Sequence, residues 1–75
     1  MNPQTKKILL VEDEDFIRDL YVRQLGKEGF QIKSAPDGQT GLNMLKAETF
    51  DLLLLDIMLP GMNGLQLLRE FKTQN

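Results

Sequence analysis

The 75-residue sequence carries 9 basic and 11 acidic residues, a formal net charge of −2, and no cysteine, histidine or tryptophan. This composition excludes a disulfide framework, a thiolate metal site and histidine-based catalysis, and the scattered basic residues predict no nucleic-acid partner. No apolar run approaches the ~20 residues of a membrane-spanning helix, and the opening residues lack the apolar core of a signal peptide, so we expect a small cytoplasmic protein without a membrane partner.

The first predicted element is a short buried strand at residues 8–11, a continuous apolar run typical of a parallel sheet. It ends at four consecutive acidic residues, 12–15. A helix follows, with Asp15 as its predicted N-cap and Gly29 as the residue that ends it. Its apolar residues recur at spacings of three and four, which predicts that they share the inward face: Phe16, Ile17, Leu20, Tyr21 and Leu25.

A second strand and a second helix come next. Residues 30–35 alternate apolar and polar side chains, as a half-covered edge strand does. Residues 36–38 (PDG) predict a turn. Residues 39–47 then predict a helix with Leu42 and Leu45 inward, although Gly41 weakens it by propensity.

The third strand is predicted at Leu52–Leu55. Leucine is also a good helix former, so composition leaves both structures open. The run is only four residues long, and it lies between Asp51 and Asp56, with proline and glycine soon after, which favours a strand.

A loop over residues 58–64 and a third helix over residues 65–72 complete the pattern. The helix is predicted to face inward with Leu67, Leu68 and Phe71. Strands that alternate with helices indicate an α/β fold with a parallel sheet and right-handed crossovers.

Acidic residues follow two of the predicted strands. Glu12 and Asp13 come after the first strand, and Asp56 comes directly after the third. Ligand sites of open α/β sheets lie at the carboxyl ends of the strands, so these carboxylates should converge. Converging carboxylates repel one another, and Mg²⁺, which prefers oxygen ligands, would offset that repulsion and leave Asp56 as a nucleophile.

These acids allow other interpretations. A single acid after a strand is more often a helix cap or a solvated turn, and residues 60–64 alone are more often a plain turn. The stretch from Asp13 to Asp19 lacks the glycine of a calcium-binding loop. A haloacid-dehalogenase-like phosphatase needs a second acid two residues after its nucleophile, where this sequence has Met58.

Residues 7–14 (KILLVEDE) resemble the opening strand and acid pair of response-regulator receiver domains. Residues 52–64 (LLLLDIMLPGMNG) resemble the phosphoacceptor segment and the loop after it, and residues 35–38 resemble a turn of that family. The resemblance covers essentially all 75 residues. It implies an incomplete flavodoxin-like, receiver-type β-α-β-α-β-α unit with three parallel strands in the order 2-1-3, that is, a truncated receiver domain over residues 1–75.

The same resemblance implies a phosphorelay role in two-component signal transduction. Asp56 would accept a phosphoryl group from a histidine kinase or a phosphotransfer protein. Mg²⁺ would be bound directly by Asp13 and Asp56, often through water by Glu12, and by the backbone carbonyl of Met58. Members of the family are phosphoacceptors rather than enzymes, and any autophosphatase activity is expected to be weak.

The sequence departs from the family in its extent. It ends after the third helix, so the family's Ser/Thr and Lys that contact the phosphoryl group, and its aromatic switch residue, have no counterpart in these 75 residues. One alternative therefore stays open, a structural or interaction half-domain with a vestigial acid pocket.

A homodimer is also expected, because one edge of Leu52–Leu55 has no strand beside it. The favoured arrangement is parallel, in the order 2-1-3-3′-1′-2′. A monomer, or pairing with a separate chain, is the alternative.

Overall fold

The computed structural model describes residues 6–55 and 64–74. The elements are β1 (Lys7–Val11), α1 (Asp15–Lys27), β2 (Gln31–Ala35), α2 (Gly38–Ala47), β3 (Leu52–Leu55) and α3 (Gly64–Gln74). All six predicted elements are therefore present in the predicted order. None of these helices is both long enough and apolar enough to cross a membrane.

The three strands form one parallel sheet in the order β2-β1-β3. At the carboxyl end of β1, Val11 pairs with Ala35 on one side and with Leu55 on the other. The predicted fold, a flavodoxin-like receiver unit with strands in the order 2-1-3, is confirmed. Because β1 is central, residues 8–11 are buried on both faces, as the continuous apolar run predicts.

The main core lies on the sheet face covered by α2 and α3. Leu9 and Val11 of β1 point to this face. Buried residues from the other elements complete the cluster: Ala35, Leu42, Leu45, Phe50 and Leu67. Leu42 and Leu45 thus face inward as predicted.

The opposite face is covered only in part. All thirteen residues of α1 are described, and none is buried. A groove of about 320 Å³ lies between α1 and β3, and its apolar walls include Leu10, Ile17, Tyr21 and Leu54. Within the described residues, β3 pairs with β1 and has no strand on its other edge. The sheet is therefore closed on one face and open over β3 on the other.

The helix boundaries and faces correct several predictions. The N-cap of α1 is Glu14 rather than Asp15, and the Asp15 carboxylate pairs with Arg18 instead of capping the helix. Gly29, by contrast, has a φ of 96° after the end of α1, as its predicted role at the helix end requires.

Four residues that were predicted to face inward are exposed: Phe16 by 73%, Leu20 by 47%, Tyr21 by 47% and Leu68 by 44%. Leu68 follows Leu67 by one position, and neighbouring helical residues lie about 100° apart around the axis. When Leu67 faces the core, Leu68 must point to the side. In α1, Phe16 and Leu20 have no described element packed over them.

Candidate functional site

The loop between β1 and α1 carries the first predicted acid pair. The backbone N–H of Glu12 donates to the carbonyl of Ala35 at 3.1 Å, so the loop begins fixed to the end of β2. The Glu12 side chain lies against its own loop, and its Oε2 accepts a hydrogen bond from the N–H of Glu14 at 3.1 Å. Glu12 is only 8% exposed as a result.

Asp13 has the opposite environment. It is exposed, and within residues 6–55 and 64–74 no hydrogen bond or ion pair engages its carboxylate. The structure therefore presents one carboxylate that is held by its own loop and one that is free to bind a ligand. Carboxylate oxygens are the ligands that Mg²⁺ prefers, so this part of the donor set fits that ion.

Arg18 of α1 also contacts this loop, and it was not among the predicted site residues. Its Nη1 donates to the backbone carbonyl of Glu12 at 3.0 Å, and its Nη2 lies 2.5 Å from Oδ1 of Asp15. The spacing of Asp15 and Arg18 is that of an ion pair on one helix face, which is a signal that the sequence does carry. The bond to Glu12, which lies before the helix, has no such signal.

The second predicted acid site follows β3. Leu55, the last residue of β3, pairs with Val11, so β1 and β3 end at the same height. Asp56 comes next in the sequence, but Asp56 and Met58 lie outside the described residues. Within the described ranges no cluster of three metal-ligating side chains occurs. The assignment of Asp56 and of the Met58 carbonyl to the site remains a prediction.

Two carboxyl groups outside this loop have shifted pKa values, and both have structural causes. The backbone N–H of Thr40 donates to Asp37 at 2.7 Å, which caps α2 and lowers the pKa of Asp37. Hydrogen bonds from Lys7 and then Lys33 lower the pKa of Glu48. These shifts report a helix cap and an ion-pair cluster rather than a second functional site.

A model of the response regulator receiver domain matches residues 8–75. The chain belongs to the response regulator receiver family. Receiver domains are phosphoacceptor proteins of signalling pathways rather than classical enzymes.

A curated relative of this receiver chain is a probable transcriptional regulatory protein of Picosynechococcus sp. It is 48% identical over 75 aligned positions, which cover 91% of this chain and 30% of the relative. The chain thus spans less than a third of that relative's length.

Solved receiver structures show the same arrangement of elements. The response regulator TrrA of Thermotoga maritima, in complex with Mg²⁺-BeF, superimposes with a TM-score of 0.82 and 37% identity. That match covers 95% of this chain and 62% of TrrA. A complex of the histidine kinase ThkA with TrrA matches with a TM-score of 0.80, covering 95% of this chain and 61% of that one, also at 37% identity.

Proposed function

We propose that this chain accepts a phosphoryl group on Asp56 from a histidine kinase or a phosphotransfer protein in the cytoplasm. Glu12, Asp13, Asp56 and the backbone carbonyl of Met58 would hold Mg²⁺. One observation carries the proposal: β1 and β3 are adjacent and end level with each other, and the acids of a receiver follow both strands. Membership of the receiver family supports it.

The proposed reaction exchanges one bond to phosphorus for another. A carboxylate oxygen of Asp56 forms a bond to phosphorus as the bond from phosphorus to the donor's imidazole nitrogen breaks. That nitrogen keeps the electron pair and returns to neutral imidazole. A bound Mg²⁺ supplies positive charge that offsets the charge of the transferring group. The residues of this chain hold that charge beside Asp56 and position the nucleophile.

The proposed partner rests on similarity to a solved receiver. TrrA has been solved in complex with the histidine kinase ThkA. By similarity to TrrA, we propose a histidine kinase as the donor for this chain. The receiver identity supports a cytoplasmic encounter.

The test of this function is the intact mass of the chain after incubation with a small phosphodonor and Mg²⁺. We expect one added phosphoryl group on the wild type and none on Asp56→Asn. Transfer to the 75-residue chain should be slow, because electrostatic partners such as the family's Lys and Ser/Thr are commonly worth about 2.7–4 kcal/mol each in a transition state. Equal labelling of Asp56→Asn would contradict the proposal.

A structural role is the second candidate, and the open edge of β3 is the observation that favours it. In this case the acid pocket is vestigial, and the 75-residue chain pairs with a second copy through Leu52–Leu55. A wild-type chain that takes up no phosphoryl group but still self-associates would favour this candidate.

A further inference from the structure

The Arg18 guanidinium ties the first turn of α1 back to the end of β1. It is nearly covered, with 18% of its side chain exposed, and it bridges the Glu12 carbonyl and the Asp15 carboxylate. We propose that Arg18 is a positioning residue that orients Asp13 for a divalent cation. This inference rests on the proposed function and deepens it.

The geometry of the peptide bond gives Arg18 this effect. The Glu12 carbonyl belongs to the peptide unit that joins Glu12 to Asp13. That unit is planar and rigid, so its carbonyl oxygen, its amide nitrogen and the Cα of Asp13 move together. When Arg18 Nη1 holds the oxygen at 3.0 Å, it fixes the N–Cα bond of Asp13. The hydrogen bond of the Glu14 N–H holds the peptide unit on the other side of that Cα, and the two units together set the direction in which the Asp13 side chain leaves the backbone.

Two further hydrogen bonds hold the residues on either side of Asp13. The N–H of Glu12 is bound to Ala35, and the N–H of Glu14 is bound to the Glu12 carboxylate. None of the three bonds uses the Asp13 carboxylate. The result is a fixed backbone beneath a carboxylate that is unpaired among the described residues, which is how a protein pre-organises a ligand.

A charge effect opposes this geometric effect. The guanidinium is positive and repels a cation in the same loop, although its pairing with Asp15 offsets part of that charge. Removal of Arg18 would therefore tighten cation binding if only charge mattered. It would weaken binding if the orientation of Asp13 matters more. The sign of the change separates the two effects.

The experiment is a calorimetric Mg²⁺ titration of the full 75-residue chain and of Arg18→Gln. Arg23→Gln is the matched control, because Arg23 is an exposed arginine of the same helix and its loss removes the same charge. We expect roughly tenfold weaker binding for Arg18→Gln, the lower end of the usual loss for an outer-shell partner. Arg23→Gln should bind like the wild type or slightly more tightly. Binding by Arg18→Gln that equals or exceeds that of Arg23→Gln overturns the proposal.

A metal-free measurement separates this inference from the proposed function. Amide ¹⁵N relaxation at Asp13 should show lower order in Arg18→Gln and unchanged order in Arg23→Gln. If the wild type binds no Mg²⁺, the proposed metal site fails, while the relaxation still tests what Arg18 does. Unchanged order at Asp13 in Arg18→Gln overturns the positioning role. If Arg18→Gln does not fold, Mg²⁺ binding and relaxation at Asp13 are measured on Arg18→Lys, which keeps the positive charge but lacks the planar guanidinium that donates to two acceptors at once.

Discussion

Gly41 allows α2 to pack closely against β1. A Cβ atom at this position would lie 2.8 Å from Cγ2 of Val11, which is closer than two carbon atoms can approach without movement. Val11 is fully buried and β-branched, so its side chain has little freedom to give way. The glycine lowers the helix propensity of α2, but its lack of a side chain is what allows α2 to contact the sheet closely.

We expect Gly41→Ala to lower the free energy of unfolding by about 1–3 kcal/mol, as overpacking of a core does. Gly26→Ala is the control, because Gly26 is an exposed glycine within α1 and a Cβ atom there would meet no heavy atom within 4 Å apart from the adjacent residues and backbone of its own helix. That substitution should raise stability by about 0.5–1 kcal/mol through helix propensity. Urea denaturation measures both changes. A shift of the same sign in the two variants would show that propensity, and not the contact with Val11, governs Gly41.

At the level of elements, Glu48 joins the end of α2 to two strands. Its Oε1 lies 2.5 Å from Lys7 Nζ of β1 and 3.0 Å from Lys33 Nζ of β2. Lys7 also lies over the ring of Phe50, at 5.1 Å from its centroid. A single carboxylate thus pairs with a lysine of each strand, away from the loop of residues 12–14 between β1 and α1, which we call the acid loop.

This cluster predicts a pH dependence of stability. The pKa of Glu48 is lowered in the folded chain, mainly by the hydrogen bond from Lys7, from an ordinary value of 4.5. The stabilisation is therefore complete above about pH 4.5 and is lost as the pH falls through the lower pKa of the folded state. We expect the difference in melting temperature between the wild type and Glu48→Gln to shrink towards zero in acid, and to shrink in high salt. Glu28→Gln, which removes an exposed glutamate without an ion pair among the described residues, is the control. A difference that does not change with pH would contradict the assignment.

The elements were more predictable than their faces. Continuous apolar runs identified β1 and β3, whereas β2 was identified by its alternation of apolar and polar residues, which matches its partial burial at the edge of the sheet. The periodicity of α1 did indicate the helix, but it did not show that Phe16 and Leu20 lie uncovered, because burial depends on what packs over a helix.

The acid loop shows the same limit. The sequence predicted that Glu12 and Asp13 follow the first strand, whereas it did not predict the bond from Arg18 to the Glu12 carbonyl. The partner of Arg18 is a backbone carbonyl, and no residue type at that position signals such a bond. Asp56 and Met58 remain predictions, since they lie outside the described residues.

For the whole molecule, the asymmetry between the two faces of the sheet is the dominant feature. Leu54 pairs with Leu10 on the open face, and Leu52 beside it is 46% exposed. On the other face, α3 exposes Leu65 by 58%. Apolar surface therefore flanks, on both faces, the edge of β3 that has no strand beside it in the described part of the chain, and an unpaired apolar edge is a template for strand addition.

Two arrangements of a dimer through β3 differ in what they cover. Antiparallel pairing joins the open faces of both copies into one wide apolar surface. Parallel pairing places the open faces of the two copies on opposite sides of the joined sheet. Each open face then lies beside α3 of the other copy, which is why we favour this arrangement. Two residues at the same height in neighbouring parallel strands, however, point to the same face of the sheet, as Leu10 and Leu54 do. A two-fold axis along the strands would instead make equivalent residues of the two copies point to opposite faces. The two β3 strands must then be offset by one residue, so the two copies become inequivalent.

We expect the 75-residue chain to form a dimer in sedimentation equilibrium, and Leu54→Lys to make it monomeric. Leu54 is a better site than Leu53, which packs against the main core, so that a charge there would unfold the chain itself. Gln31→Lys is the control, because it adds the same charge at the outer edge of β2. The one-residue offset gives a second readout, since amide signals of β3 should be doubled in a parallel dimer and single in a symmetric antiparallel one. A folded wild-type monomer at high concentration would refute the dimer, and single β3 signals from a dimer would refute its parallel form.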